Sequence, residues 1–250
     1  MARYELLDNV AHRDLRVVTR FGADLGDAVG LVPAFPTEFA ELQREYPIFF
    51  RAGEGGAGFH AVALLGFEPG ENLFLQGDRW NASYLPGAVA RGPFLIGMQE
   101  RQIDGALREE PMIHVDLDHP RIAAVEGEGD AVFLPQGGHS PYLQHITTVL
   151  KGIRDGIGAG KALVAELDAL GLIQPLRVDI RIDEGNSVNL TGLHGIDRER
   201  LAALDAEAVH SLHRSGALEG VYLVLASLHN IRRLTAEKQR RLRTQALVGA

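Results

Sequence analysis

The 250-residue chain contains no cysteine. That single absence removes disulfide staples, thiol nucleophiles, iron–sulfur ligation and thiolate zinc sites. Aromatic residues are few, at 6%, with one tryptophan, Trp80. Basic residues number 25 against 33 acidic ones, a net charge of -8, which argues against a protein whose main work is neutralising a phosphate backbone. No apolar run reaches the roughly 18 residues of a membrane span. The first residues carry Arg3, Glu5, Asp8, Asn9, His12 and Arg13 with no apolar stretch of signal-peptide length. A cytoplasmic location is the expectation, so Asn81-Ala82-Ser83 and Asn189-Leu190-Thr191 match the glycosylation pattern only by chance.

What remains is ordinary globular material, 46% hydrophobic and 23% charged, enough at this size to bury roughly three quarters of the surface of the unfolded chain. The charge is uneven. Between Arg232 and Arg243 stand Arg232, Arg233, Lys238, Arg240, Arg241 and Arg243 with Glu237 alone, so this segment is +5 and the remainder -13. A basic terminal helix is implied, read as a solvated face whose charges suit a helix C-terminus. Docking on an acidic partner or an anionic lipid is the functional alternative.

Periodicity organises the rest. An extended start near Leu15 to Val18 precedes a helix over Pro36 to Tyr46, with Thr37 as N-cap and Phe39, Leu42 and Tyr46 on one face. Pro47 to Arg51 and Phe59 to Phe67 read as a hairpin closed by Gly53-Glu54-Gly55-Gly56-Ala57-Gly58. Further strands are expected at Asn72 to Leu75, Phe94 to Gln99 and Met112 to Leu117, with a turn and short helix between Trp80 and Phe94. Asp118 to Gly138, rich in glycine and in Glu126, Glu128 and Asp130, reads as a surface excursion. From Ser140 a helix carries Leu143, Ile146, Val149, Leu150 and Ile153. A glycine break at Gly156 to Gly160 then separates it from a second helix with Leu163, Leu167 and Leu170. Strands follow at Leu172 to Asp183 and Ser187 to Leu193, paired around Glu184-Gly185-Asn186. Asp197 and Asp205 cap two helices, the second ending near Gly216, and Val221 to Leu234 and Thr235 to Val248 complete the chain as helices. With no βαβ alternation, the expected fold class is α+β: a mixed, mainly antiparallel sheet from N-terminal and central strands, then a helical C-terminal third. Residues 1–250 are read as one domain, within which a division near 138 would separate a strand-rich 1–138 from a helix-rich 139–250.

Three blocks carry a family resemblance. The first is Leu31-Val32-Pro33, Glu38-Phe39 and Tyr46-Pro47-Ile48-Phe49-Phe50. The second is Asn72-Leu73-Phe74, Trp80-Asn81, Tyr84-Leu85-Pro86 and Arg91-Gly92-Pro93-Phe94. The third runs from Gly192-Leu193, Ile196-Asp197, Leu201 and Leu204 through Leu212-His213-Arg214-Ser215-Gly216-Ala217-Leu218 to Tyr222 and Ser227-Leu228. In this order, over nearly the whole chain, they resemble the bacterial SapC family. The resemblance implies a surface-layer or peptide-transport association and loci holding TonB-dependent receptors, flavin halogenases and oxygenases; it implies no reaction. The chain departs from the family pattern at His114, where a small or apolar residue is usual, and at Val224, where a histidine is frequent, so neither position supports a shared active site.

Candidate chemistry is sparse. His114, Asp116 and Asp118 alternate with Val115 and Leu117, which puts the three polar side chains on one face of a strand. With a distant histidine, His139, His145 or His194, a His-x-Asp pair makes the two-imidazole, one-carboxylate set of non-haem Fe(II) oxygenases; the plainer reading is an amphipathic strand with an ionisable solvent face. His210 and His213 lie three apart on a helix but lack a carboxylate partner. Gly156-Ile157-Gly158-Ala159-Gly160-Lys161 fails both phosphate-loop patterns, and no nucleophile elbow is present. Trp80, Asn81, Tyr84, Arg91 and Phe94 form the densest aromatic–polar cluster, a composition that suits recognition of a peptide or protein partner, or a core. The leading expectation is a non-catalytic accessory protein that binds a peptide or protein through Trp80 to Phe94, without a cofactor. The alternatives are an Fe(II) oxygenase using His114, Asp116 and His194, and a structural subunit of a homo-oligomer.

Overall fold

The computed structural model describes residues 3–56, 58–103, 106–125, 127–182 and 187–248. Ala57 at the first hairpin tip, Glu126 and the Glu184-Gly185-Asn186 turn lie outside the described residues. The architecture is α+β, and the chain forms two units: residues 1–27, 77–79 and 87–154, and residues 28–76, 80–86 and 155–250.

The first unit is organised by one long hairpin. Phe94–Ile103 and Ala106–Asp116 pair antiparallel from Phe94↔Val115 to Ile103↔Ala106, and Tyr4–Leu6 adds to the second strand with Tyr4 opposite Asp116 and Leu6 opposite His114. The apolar positions Phe94 and Val115 point inward, onto Val17, Val132, Phe133, Leu143, Ile146 and Leu150. Asp118 to Gly138 departs only in part from the expected surface excursion: Ala124, Val125, Gly127 and Glu128 are exposed, but the segment returns to the core on either side of them. Asp130–Ala131 pairs with Arg16–Val17, and Val132 and Phe133 are buried. Glycine permits this approach, because a Cβ on Gly129, whose φ is 72°, would come within 2.3 Å of the Val17 carbonyl oxygen. In the same segment Arg121 is buried against Asp27, with Nη2 2.6 and 2.7 Å from its two oxygens, and Nη1 donates to the Val18 and Arg20 carbonyls. A guanidinium with that many partners satisfies the condition for burying a charge.

The second unit holds a five-stranded antiparallel sheet in the order Ile173–Pro175, Leu193–Ile196, Ile48–Ala52, Phe59–Leu64, Leu31–Pro33. Ile48, Phe49 and Phe50 are consecutive and all fully buried, so this central strand is covered on both faces. The helix Ala217–Ser227 packs on it, and Ser227 Oγ accepts the Ile48 N–H at 2.8 Å. The segment read as a helix from Pro36 to Tyr46 is shorter than expected: a 3₁₀ turn Pro36–Glu38, a single turn Phe39–Leu42, then turns to Tyr46. Its start is held by Glu38 Oε1, which accepts the Phe35 N–H at 3.2 Å, rather than by Thr37. Phe39, Leu42 and Tyr46 are nonetheless fully buried, so the apolar face is as its spacing indicates.

Two helices were expected between Ser140 and Leu170, yet Pro141–Ala169 is one continuous helix of 29 residues. Glycine costs a helix interior only about 1 kcal/mol per residue, and here the notch is used: a Cβ on Gly156 would lie 2.6 Å from Phe35 Cβ and 2.7 Å from Thr37 Oγ1. Farther on, Asp197 Oδ1 accepts the Arg200 N–H at 2.9 Å and Asp205 Oδ1 the Ala208 N–H at 2.8 Å, capping Arg198–Ala202 and Ala206–Ser215 as their sequences indicate. Gly216, at φ 81°, ends the second. The chain closes with Ile231–Val248. Among the described residues no helix is long and apolar enough to cross a membrane.

Candidate binding site

The candidate cluster of Trp80, Asn81, Tyr84, Arg91 and Phe94 is divided by the fold. Arg91 and Phe94 belong to the first unit, where Phe94 is fully buried and Arg91 Nη1 donates to its carbonyl at 2.9 Å; Phe94 is a core residue. Trp80, Asn81 and Tyr84 belong to the second unit, and there they meet side chains that were read as something else.

Tyr46, the last residue of the short helix face, is the centre of this meeting. Trp80 Nε1 donates to Tyr46 Oη at 2.8 Å, Tyr46 Oη donates to the Tyr84 carbonyl, and Tyr84 Oη donates to Glu38 Oε2 at 2.8 Å. Burial pushes the Tyr46 phenol well above its ordinary range, and burial together with the Glu38 carboxylate does the same for Tyr84. Both phenols therefore keep their protons and act as fixed donors. The Phe74 ring lies 4.4 Å from the Tyr46 ring and is stacked on Trp80 at 6.1 Å with 12° between planes. Both oxygens of the buried Glu45 accept the Ser83 N–H, at 2.8 and 3.0 Å. The Asn81 N–H donates to the Phe74 carbonyl at 2.7 Å.

The loop that carries Phe74 is fastened to the terminal helix. Arg241 donates to the carbonyls of Asn72, Leu73 and Leu75 at 3.1, 2.8 and 2.8 Å, and Lys238 Nζ reaches Glu68 at 2.9 Å and Glu71 at 2.7 Å. Desolvation works against the Lys238 charge, but the bonds to Glu71 and Glu68 outweigh it and the net shift is upward. Loop geometry is set within the chain as well: Asn72 Oδ1 accepts the Phe74 N–H at 2.9 Å, and a Cβ on Gly66 would stand 2.3 Å from the Glu71 carbonyl oxygen. The basic segment is thus not a plain solvated face. Lys238 and Arg241 are spent on holding the loop, and Glu237 is spent on Arg240 and Arg241, at 2.7 to 2.8 Å. The bond from Arg240 holds the Glu237 carboxyl below its ordinary range against its partial burial, with Arg241 adding to it.

A pocket of about 270 Å³ opens where loop and helix meet, lined by Phe74, Leu73, Asn81, Arg233, Glu237 and Arg240, with Leu234 and Ala236. Arg233, Ala236, Glu237 and Arg240 present one helical face to it, three and four residues apart. The Arg233 guanidinium stands over Phe74, 5.9 Å from the ring centroid, and 3.6 Å from a Glu45 oxygen. Chemically the pocket offers an amide, a carboxylate and two guanidiniums beside the almost fully buried Leu73, Phe74 and Leu234, and no reactive nucleophile among its lining side chains.

Of these residues, composition alone points to Trp80, Asn81 and Tyr84. Arg233, Arg240 and Glu237 stand in a charged run and Tyr46 and Phe74 at apolar positions, with nothing in the sequence to join the two groups. Glu38 and Glu45, seven apart and flanking a helical turn, carried a signal: acidic residues on the side of a turn whose other positions are buried.

The metal-ligand alternative is distributed differently. His114 and Asp116 lie on one strand of the first unit. The His114 ring covers Gly97, where a Cβ would come within 2.7 Å of it, and its Nδ1 lies 3.2 Å from the Met112 carbonyl oxygen. Asp116 Oδ1 accepts the N–H groups of Arg3 and Asp118 at 3.0 and 3.1 Å. His194 belongs to the second unit, edge-on to Phe59 at 4.8 Å, with Nδ1 buried and unbonded. Among the described residues no group of three or more His, Asp or Glu side chains is placed to hold a metal ion.

Compared with known proteins, residues 7–234 match the family model described as SapC. No curated protein and no solved structure matches the chain.

Proposed function

The chain belongs to the SapC family, and from that premise we propose that it is a non-catalytic accessory protein that recognises a peptide or protein partner through the pocket between the Leu73–Phe74 loop and the terminal helix. One observation carries the reading: the aromatic cluster around Trp80 and the basic helix from Arg232, far apart in sequence, converge on the same small cavity. Tryptophan, tyrosine and arginine are the side chains that dominate recognition hot spots. Here Trp80 and Tyr84 are held beside the pocket by hydrogen bonds to Tyr46 and Glu38, so little order remains to be imposed on that side when a partner arrives.

The test is an array of peptides of varied sequence probed with the purified chain and with an Asn81→Ala, Arg233→Ala double variant. A subset of peptides is expected to bind the wild type and to lose at least tenfold in affinity with the variant. Equal binding by both proteins, or no binding by either, overturns the assignment.

A further inference from the structure

Resting on the reading that a peptide or protein is recognised beside the terminal helix, we propose that the partner presents a short acidic segment and that the exposed arginine face of Ile231–Val248 holds it. The basic residues of this helix divide by face. Leu234, Lys238 and Arg241 lie on its inward side, where Lys238 and Arg241 hold the loop through Glu68, Glu71 and three carbonyls. Arg232, Arg233, Arg240 and Arg243 lie on the opposite side around Ala236, all exposed. Two of the four have acidic neighbours: Arg233 is 3.6 Å from Glu45, and Arg240 is bonded to Glu237. Arg232 and Arg243 make no hydrogen bond or ion pair among the described residues. The same holds for Arg181, exposed on the strand Val178–Arg181, which shares with Arg232 a shallow groove on the flank of the helix away from Phe74. The one carboxylate lining that groove, Asp179, accepts the Asn189 side-chain amide at 2.6 Å.

Helix electrostatics does not account for this face. A cation is favoured in the last turn of a helix and disfavoured in the first. Arg232 and Arg233 stand in the first turn, and the last turn holds no basic residue. Nor is the charge spread for solubility, since the chain outside Arg232 to Arg243 carries -13.

Guanidiniums with open donors are matched by carboxylates or phosphates, and the surroundings select a carboxylate-bearing segment. The exposed helix face has no aromatic side chain on which bases could stack. Its apolar side chains are Ala236 and Leu247, too little surface to enter a bilayer. A long polyanion or an anionic bilayer would also meet the acidic remainder of the chain, whereas a short segment needs only the arginines. From Arg232 to Arg243 the helix rises about 16 Å, the length of roughly five extended residues, in which alternate side chains share a face about 7 Å apart.

The experiment titrates the full chain with a decapeptide in which Glu alternates with Ala, and with its Gln counterpart, at low and at physiological ionic strength. The Glu peptide is expected to bind at least tenfold more tightly than the Gln peptide and to weaken as salt rises. Two variants are each expected to weaken it at least tenfold: the Arg232→Ala, Arg243→Ala double variant, and Ala236→Glu. The latter sets a carboxylate four residues from both Arg232 and Arg240, a spacing that supports the helix, so circular dichroism should show it as folded as the wild type. Equal binding of the Glu and Gln peptides would overturn the proposal, as would unchanged affinity in both variants. Tighter binding of duplex DNA or of phosphatidylserine vesicles than of the Glu peptide would also overturn it. If the Glu peptide does not bind while the varied array yields ligands lost in the Asn81→Ala, Arg233→Ala variant, the acidic assignment falls and peptide recognition at the pocket stands. If the Glu peptide is lost with Arg232 and Arg243 but indifferent to Asn81 and Arg233, the helix face stands and the pocket falls. If no peptide binds in either series, both fall.

Discussion

Arg121 shows how far a single side chain's surroundings can depart from what its neighbours in sequence indicate. It follows His119 and Pro120 in a segment of polar and glycine-rich composition, yet it is buried, paired with Asp27 through two bonds and with two carbonyls besides. Removing one partner of such a pair leaves a charge that cannot be hydrated, at a cost of about 3–5 kcal/mol, whereas replacing both by apolar residues is close to neutral. Arg121→Met is therefore expected to lower the denaturant midpoint sharply, and the Asp27→Leu, Arg121→Met double variant to regain most of the loss; unfolding curves measure both. In the second unit, Lys238 sits between Glu68 and Glu71. Lys238→Ala should cost on the order of 2 kcal/mol, the scale of losing charge-assisted bonds at a mostly buried site, and should loosen the loop that supports Phe74.

At the scale of elements, the helix Pro141–Ala169 separates local propensity from packing. Gly158 has nothing within 4 Å of a would-be Cβ, while Gly156 faces Phe35 and Thr37 at under 3 Å. Gly158→Ala should then stabilise by about 0.5–1 kcal/mol through the helix propensity of alanine, and Gly156→Ala should destabilise, because the Phe35–Thr37 turn would have to move. Thermal unfolding of the two variants distinguishes these outcomes directly. The terminal helix Ile231–Val248 carries a pH dependence through Glu237. Its carboxyl is held below the ordinary range by Arg240, against partial burial and with help from Arg241. The stability it contributes is present above the ordinary carboxylate range and lost as pH falls through the lowered folded value. Glu237→Gln should remove that part of the acid-limb dependence, read as a flatter stability-against-pH curve below neutrality. Most element types were legible in the sequence wherever one force acted alone, while several boundaries moved: the strand expected at Asn72 to Leu75 is Leu75–Gln76, and the helix break expected after Leu234 falls at Leu228–Asn230. The caps at Asp197 and Asp205 and the stop at Gly216 are set by local hydrogen bonding, and the strands Ile48–Ala52 and Phe59–Leu64 by their apolar runs. The single long helix and the buried stretch near Val132 were not legible, because in both places glycine serves a close approach between segments distant in sequence.

The whole chain repeats that division. Its α+β class and its family follow from patterns spread along nearly all its length, with the family model matching residues 7–234. The candidate site was half legible: Trp80, Asn81 and Tyr84 stood out by composition, but Arg233 and Glu237 lie some 150 residues away and only folding brings them to the same pocket. Arg91 and Phe94, adjacent in sequence to the aromatic cluster, fall in the other unit, because proximity along the chain says little across a unit boundary. Since Trp80 is the only tryptophan in the chain and stacks on Phe74, which lines the pocket, its fluorescence reports occupancy there. The most direct measurement is thus Trp80 emission during titration with a peptide selected on the array, alongside calorimetry of the same mixture. A saturable emission change at the calorimetric affinity, lost in Arg233→Ala, is the predicted result; calorimetric binding that leaves Trp80 emission unmoved would contradict this account by placing the binding surface elsewhere.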